Sequence, residues 1–220
     1  MAEERNSYFD IFKGIAILGV VAVHFVQQFP FEVNSNIKDF FISGQYMVQM
    51  FFVISGYFAF YSFFKHNEKW FLFMKRKIIA LIPICYVAYL IKILLLIVTR
   101  QKIHILDVLC AFTFTNGISP HYINSIGGWY IGTLVVFFAI VPILSKFITN
   151  TKKALAFFLL SFIVCFVADA FIKQFYDTGW TFYFWLPRQL PVISLGILLY
   201  FIQKEILNNS TINNGGGTAV

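Results

Sequence analysis

Residues 8–29 read YFDIFKGIAILGVVAVHFVQQF, an apolar stretch of helix length that contains three ionisable side chains. These are Asp10, Lys13 and His24, and a charge held at membrane depth is costly unless it faces protein or water. Because an α-helix turns about 100° per residue, Lys13 and His24 point within about 20° of each other and lie about 16 Å apart along the axis. The stretch therefore predicts a membrane helix with one polar face.

Two interpretations of this polar face are open. In the first, it lines a path through the membrane and places an imidazole in the outer half of that path. In the second, Asp10 and Lys13 form an ion pair at the membrane interface and His24 packs against protein. The spacing of the residues is compatible with both.

The composition indicates an integral membrane protein. The chain has 220 residues, of which 59% are hydrophobic and 12% are charged, whereas soluble domains are typically about half apolar. The formal charge of +7 comes largely from short loops between apolar runs, which is the positive-inside pattern of membrane proteins. We therefore expect no nucleic acid partner. The cysteines lie in separate apolar segments without a metal-ligand spacing, so we expect no metal site.

The apolar segments predict an all-α fold. A spanning helix needs about 20 apolar residues, and six segments qualify, at 11–29, 45–64, 78–98, 127–147, 154–172 and 181–202. A further segment at 105–114 is too short to cross. The prediction is a polytopic transmembrane helix bundle with about six spanning helices and one short helix. It forms a single domain over 8–203, followed by a disordered tail over 204–220 that is rich in Asn and Gly.

The distribution of Lys and Arg predicts a cytoplasmic N-terminus. With that orientation, the outer loops hold few cations, whereas the inner loops hold most of them. The inner cations are Arg5, Lys65, Lys69, Lys75, Arg76, Lys77, Lys146, Lys152, Lys153 and Lys204. The most basic stretch is FMKRKIIALIP at 73–83. Its charges either set the topology alone or also bind the phosphates of an anionic cofactor.

The sixth segment contains a cation between two prolines. Arg188 lies between Pro187 and Pro191, with Gln189 beside it. Proline removes a helix hydrogen bond, and the resulting break is tolerated at membrane depth only against protein or a water-filled cavity. The pattern predicts a bent helix and a polar pocket at this position.

Four motifs, in order, make the chain resemble the acyltransferase 3 family, which comprises multi-span membrane enzymes that acylate extracytoplasmic sugars. The first is KGIA at 13–16, with ten residues between Lys13 and His24, and the second is FFVISGY at 51–57. The third is the basic pair at 76–77 with a proline six residues later, and the fourth is WYIGTLVVFFAIVP at 129–142. The resemblance covers nearly the whole predicted bundle.

This chain also departs from the family pattern. Family members typically have longer chains with more spans, so the resemblance implies a truncated member. Lys13 stands where arginine is commoner, and Leu134 occupies a position where several branches carry glutamate.

The resemblance implies an O-acyltransferase of the cytoplasmic (inner) membrane. It would move an acetyl or other short acyl group from acyl-CoA, typically acetyl-CoA, to a hydroxyl of a surface or exopolysaccharide sugar. The implied partners are acyl-CoA, a carbohydrate acceptor and the lipid bilayer, with no metal. His24 would be the catalytic base, an effect worth about 10² to 10⁴ in rate, or a transient acyl acceptor. Lys13 is the second residue expected to take part in catalysis.

Further roles follow from the same resemblance. The cations expected to bind the phosphates of CoA are Lys13, Lys75, Arg76 and Lys77. The residues expected to hold the substrate or the developing oxyanion are Ser55, Trp129 and Arg188. Two alternatives stay open, namely a transporter or sugar-lipid flippase, which would also use charges within the membrane and broken helices, and an inactive truncated remnant of the enzyme.

Overall fold

The structure is a computed structural model that describes residues 7–28, 35–66, 69–117, 126, 128–175 and 185–215. Every regular element in this part of the chain is helical. The α-helices are α1 (Ser7–Gln28), α2 (Ser35–Ile42), α3 (Met47–His66), α4 (Trp70–Val98), α5 (Ile105–Phe112), α6 (Trp129–Phe147), α7 (Thr151–Phe175) and α8 (Leu186–Gly215). Two 3₁₀ turns, Ser43–Tyr46 and Thr115–Gly117, precede α3 and follow α5.

Six helical stretches in the described part are long and apolar enough to cross a membrane. They lie on α1, on α2 together with α3, and on α4, α6, α7 and α8. The predicted all-α transmembrane bundle is therefore confirmed, and α5 corresponds to the short helix predicted at 105–114. The sequence did not predict α2, because its eight residues, SNIKDFFI, mix polar and apolar side chains.

Two predicted boundaries differ from the structure. Helix α4 begins eight residues before the predicted start, because the aromatic run WFLF at 70–73 continues the helix toward the N-terminus. The basic cluster at 75–77 thus lies within α4 and not in a loop. Helix α8 continues to Gly215, so residues 204–215 are helical where the sequence predicted a disordered tail. The run KEIL at 204–207 consists largely of good helix formers, and Thr151 donates a hydrogen bond of 2.6 Å to Glu205.

Helices α3 and α8 form the centre of the bundle and run parallel to each other. The backbone of Gly196 in α8 lies against Val53 of α3. One turn further along α3, the Tyr57 hydroxyl donates a hydrogen bond to Gln203, which lies two turns further along α8. A side chain on Gly56 would meet the backbone of Ile193. Small residues at these positions let the two backbones approach closely, as at many membrane helix crossings.

Helices α1, α6 and α7 pack against this pair, α4 packs mainly against α6, and successive spans alternate in direction. Helix α7 is antiparallel to α8, since Thr151 at the start of α7 is bonded to Glu205 in the later part of α8, and Asp169 in the later part of α7 is paired with Arg188 at the start of α8. The Trp70 indole at the start of α4 donates to the Ala139 carbonyl of α6 at 3.0 Å. Fully buried side chains at the centre include Phe52, Phe60, Phe73, Phe137, Ile193 and Ile197.

This alternation gives the bundle two different ends. We call the basic end the one where α1, α4 and α7 begin and α3, α6 and α8 end, and the other the opposite end. The cations at 75–77, 152–153 and 204 lie at or near the basic end. The outward faces of α1, α4 and α7 carry many exposed apolar side chains, as expected of surfaces in contact with lipid.

Candidate active site

A cavity of about 1100 Å³ opens at the basic end of the bundle. Helices α1, α3 and α8 supply most of its wall, and α4 and α6 supply one residue each. The residues that line it are Phe9, Asp10, Lys13, Ile54, Ser55, Tyr57, Phe58, Tyr61, Ser62, Phe64, Lys65, His66, Lys77, Phe138, Tyr200, Gln203, Lys204, Leu207 and Asn208. The wall thus combines cations with aromatic rings.

Four lysines on this wall lie over aromatic rings. The ammonium of Lys13 is 5.1 Å from the ring centre of Phe58, and that of Lys77 is 5.6 Å from Phe138. Lys65 and Lys204 lie 5.5 Å from the rings of Tyr61 and Phe64, respectively. A cation over a ring face is attracted by the negative face of the ring. The cavity therefore concentrates positive charge, which attracts anionic ligands.

Helix α1 places Lys13 and Asp10 together at the mouth of the cavity. The two side chains are 3.9 Å apart, one helical turn from each other, and each is more than a third exposed. Phe9, in the same turn, packs against the rings of Tyr57 and Phe58 at 5.1 and 4.8 Å. The ion pair expected in the second interpretation of the polar face is present, and Lys13 also lines the cavity.

The predicted cofactor-binding cations separate into three positions. Lys13 and Lys77 line the cavity. Arg76 donates a hydrogen bond of 2.7 Å to the hydroxyl of Ser62, which is itself part of the wall, so Arg76 lies at the rim. Lys75 is exposed and is not among the lining residues.

Ser55 connects the cavity to the start of α6. It is hydrogen-bonded to the hydroxyl of Tyr130 at 3.3 Å, and the Tyr130 ring packs on Phe52 at 4.8 Å. The Trp129 ring also packs on Phe52, at 5.9 Å. Two of the predicted substrate residues, Ser55 and Trp129, are therefore joined through one aromatic cluster. Tyr130 directly follows Trp129, but no pattern in the sequence marks it as a site residue.

His24 is exposed on α1 and is not among the residues that line this cavity. It follows Lys13 by eleven residues, which places it about 16 Å further along the helix axis. On an ideal helix it lies about 80° around the axis from Ala16, which is completely buried. The imidazole is thus at the border of the face that α1 packs against the bundle.

Arg188 lies apart from the cavity, near the opposite end of the bundle. It forms an ion pair of 3.1 Å with Asp169 of α7, which the sequence analysis did not predict. Helix α8 begins at Leu186, so Pro187 lies in its first turn, whereas Pro191 lies inside the helix. A first-turn proline needs no N–H donor. Gln189 beside it is buried, as expected for a polar contact within protein.

The sequence matches the acyltransferase 3 family model, described as an acyltransferase domain, over residues 6–213. The chain belongs to the acyltransferase 3 family. This membership makes it a multi-pass membrane acyltransferase that uses an acyl donor, and it favours the enzyme over the transporter or flippase considered above. No curated protein and no solved structure matches the chain. Within the described ranges, no group of three His, Cys, Asp or Glu side chains is placed to hold a metal ion.

Three further lining residues were missed as site candidates. Tyr57 and Gln203 are hydrogen-bonded across the α3–α8 contact, and Lys204 follows directly. The sequence marked Lys204 only as one of the cations that set the topology. Its place at the cavity depends on the parallel packing of α3 and α8, which no local pattern indicates.

Proposed function

We propose that this acyltransferase moves an acetyl or other short acyl group from acyl-CoA to a hydroxyl of a surface or exopolysaccharide sugar. In this proposal the chain lies in the cytoplasmic membrane with its N-terminus in the cytoplasm. The basic end is then the side from which acyl-CoA enters, and the acceptor sugar approaches from the opposite end.

The observation that supports acyl-CoA as the donor is the lysine-lined cavity. CoA is polyanionic, and phosphates are commonly bound by Lys and Arg. Lys13, Lys77 and Lys204 would bind these phosphates, with Arg76 held at the rim by Ser62. The volume of about 1100 Å³ is just above the usual range of small-molecule sites, so it suits a donor as large as a nucleotide. Lys75 would contribute only to the surrounding positive potential.

The proposed chemistry places His24 at the reacting centre. A sugar hydroxyl is a weak nucleophile at neutral pH, and a neutral imidazole can accept its proton during attack. The oxygen would form a bond with the thioester carbonyl carbon, the carbon–sulfur bond would break, and the thiolate would leave and take up a proton. The arm of CoA between its phosphates and its sulfur would extend from Lys13 along the polar face of α1 toward His24.

Other residues would assist this step. The linked hydroxyls of Ser55 and Tyr130 are candidates to donate a hydrogen bond to the developing oxyanion, an effect that is among the largest in acyl transfer. Trp129 would contact the acceptor sugar, since aromatic rings offer a broad apolar face to a partner. Arg188, near the opposite end, would hold a polar group of the acceptor while paired with Asp169.

The experiment is transfer of labelled acetyl from acetyl-CoA to envelope polysaccharide in membranes that contain the parent chain, His24→Ala or His104→Ala at matched expression. His104 directly precedes the short helix α5, so its variant controls for the loss of an imidazole. We expect label with the parent and with His104→Ala, and about 10² to 10⁴ less with His24→Ala.

Two results would contradict the proposal. Equal transfer by the parent and His24→Ala would remove His24 from the mechanism. Absence of transfer from every acyl-CoA offered, with all three chains folded in the membrane, would instead favour the inactive remnant.

A further inference from the structure

Helix α6 begins inside the bundle and not at its end. Its first residue is Trp129, and a Cβ added to the preceding Gly128 would collide with the hydroxyl of Tyr89 on α4. Helix α4 continues beyond Tyr89 as far as Val98, which is about 14 Å further toward the opposite end. The N-terminus of α6 therefore faces the opposite end from within the bundle.

A helix N-terminus in this place attracts negative charge. The first N–H groups of an α-helix have no partner within the helix, and the helix dipole adds partial positive charge there. Gly128 has a φ of 81° and no side chain that could cap the helix. In membrane transporters, the N-termini of helices that begin within the membrane bind anionic groups of substrates. The N-terminus of α6 is suited to a ligand of the same kind.

Tyr89 supplies a further hydrogen-bond donor at this position. Its ring packs against the rings of Phe112 and Phe114, at 5.7 and 6.5 Å, and the residue is 4% exposed. In the part of the chain that the structure describes, its buried hydroxyl has no hydrogen-bond partner. A buried hydroxyl without a partner is destabilising, and such groups in native proteins call for an explanation. A ligand oxygen that accepts from Tyr89 and from the start of α6 would provide one.

This position is remote from His24 along the bundle. Helix α1 runs antiparallel to α3, with Gly19 against Met47, and His24 lies five residues beyond Gly19. Phe52, whose ring packs on Trp129, lies five residues from Met47 in the opposite direction. The two levels are therefore about 15 Å apart along the bundle. A group bound at the start of α6 would position a ligand without reacting itself.

We propose that the N-terminus of α6 and the hydroxyl of Tyr89 bind an anionic group of the acceptor, either a carboxylate or a phosphate. This inference rests on the proposed function, in which the acceptor approaches from the opposite end and contacts Trp129, the first residue of α6. The distance of about 15 Å to the level of His24 exceeds the length of one sugar unit. The anionic group and the reacting hydroxyl therefore belong to different units of a saccharide chain.

The test measures binding of the anionic group alone, through the melting temperature of the full chain in detergent. The probes are glucuronate, glucose 6-phosphate and neutral glucose, at one ionic strength. We expect glucuronate or glucose 6-phosphate, but not glucose, to raise the melting temperature, and the tighter of the two distinguishes a carboxylate from a phosphate. Tyr89→Phe removes only the hydroxyl and should weaken the binding of this probe about tenfold. Without probe, this variant should melt no lower than the parent.

The matched control is Tyr86→Phe, three residues earlier on α4. The hydroxyl of Tyr86 donates a hydrogen bond of 2.8 Å to the carbonyl of Phe112. This variant should therefore lower the melting temperature without probe and leave the affinity for the probe unchanged. In the transfer assay, Tyr89→Phe should raise the KM for the polysaccharide and leave the KM for acyl-CoA unchanged.

The possible failures are distinguishable. Equal affinity of the parent and Tyr89→Phe for the anionic probe would assign its binding to another basic surface, such as the lysine-lined cavity, and would overturn the proposal. A melting temperature without probe that falls as far in Tyr89→Phe as in Tyr86→Phe would also overturn it, as would the absence of a shift with every probe. Binding as expected without transfer from any acyl-CoA would leave the anion site in place and contradict the proposed function.

Discussion

Replacing Gly196 by alanine should destabilise the α3–α8 contact. The new Cβ would meet the carbonyl of Val53 and lie 2.8 Å from the amide nitrogen of Tyr57. These are backbone atoms of a helix, which cannot rotate away as the end of a side chain can, so the two helices must separate. Overpacking of this kind typically costs about 1–3 kcal/mol.

Gly14→Ala is the matched control, because a Cβ on Gly14 has nothing within 4 Å. Both variants gain the same intrinsic preference of alanine over glycine in a helix, roughly 1 kcal/mol. The preference therefore cancels in the comparison. The two variants should differ by the packing cost alone, which corresponds to about 2–12 °C in melting temperature for a chain of this size.

The assay is thermal unfolding in detergent, followed by reaction of a buried thiol with a fluorogenic maleimide. Cys85 is 7% exposed, so it reacts on unfolding. Cys110 and Cys165 are partly exposed and would be replaced by alanine in all samples. Melting of Gly196→Ala at the same temperature as Gly14→Ala would refute the close approach of α3 and α8.

Three further outcomes are expected. Lys77→Met should weaken the binding of CoA several-fold and reduce the dependence of this binding on salt, as measured by competition with labelled CoA. Lys152→Met removes an exposed charge near the same end and should leave the affinity for CoA unchanged. Asp169→Asn should lower the melting temperature, because it removes the carboxylate that pairs with Arg188. The double variant Asp169→Asn with Arg188→Met should recover part of this decrease in melting temperature. Tyr130→Phe removes one hydroxyl from the pair at Ser55 and should lower the rate of acyl transfer more than it changes the KM for acyl-CoA.

The sequence predicts the spans well because length and apolarity alone decide whether a segment can cross a bilayer. The ends of the helices are less predictable. Helix α4 begins at Trp70, where aromatic residues continue the helix beyond the basic cluster. Helix α8 begins at Leu186, since a proline such as Pro187 is common in the first turn of a helix. The pattern PRQLP is therefore compatible with a helix start as well as with a break inside a helix.

The candidate site is only partly predictable. Lys13 and Ser55 belong to local motifs, and both line the cavity. Tyr57 and Gln203 meet because α3 and α8 pack in parallel, and residues so distant in sequence give no local signal. His24 illustrates the converse case, since its helical spacing from Lys13 was predictable but its exposure depends on which neighbours cover α1.

The parallel packing of α3 and α8 also has a consequence for biosynthesis. Val53 and Gly196 are about 140 residues apart in the chain, and translation proceeds at about 5–20 residues per second. Helix α3 therefore waits roughly 7–30 s in the membrane before its partner is made. During that interval the face around Gly56 contacts lipid or other helices in place of α8. A chain that ends before α8 would contain α3 without the helix that it packs against most closely.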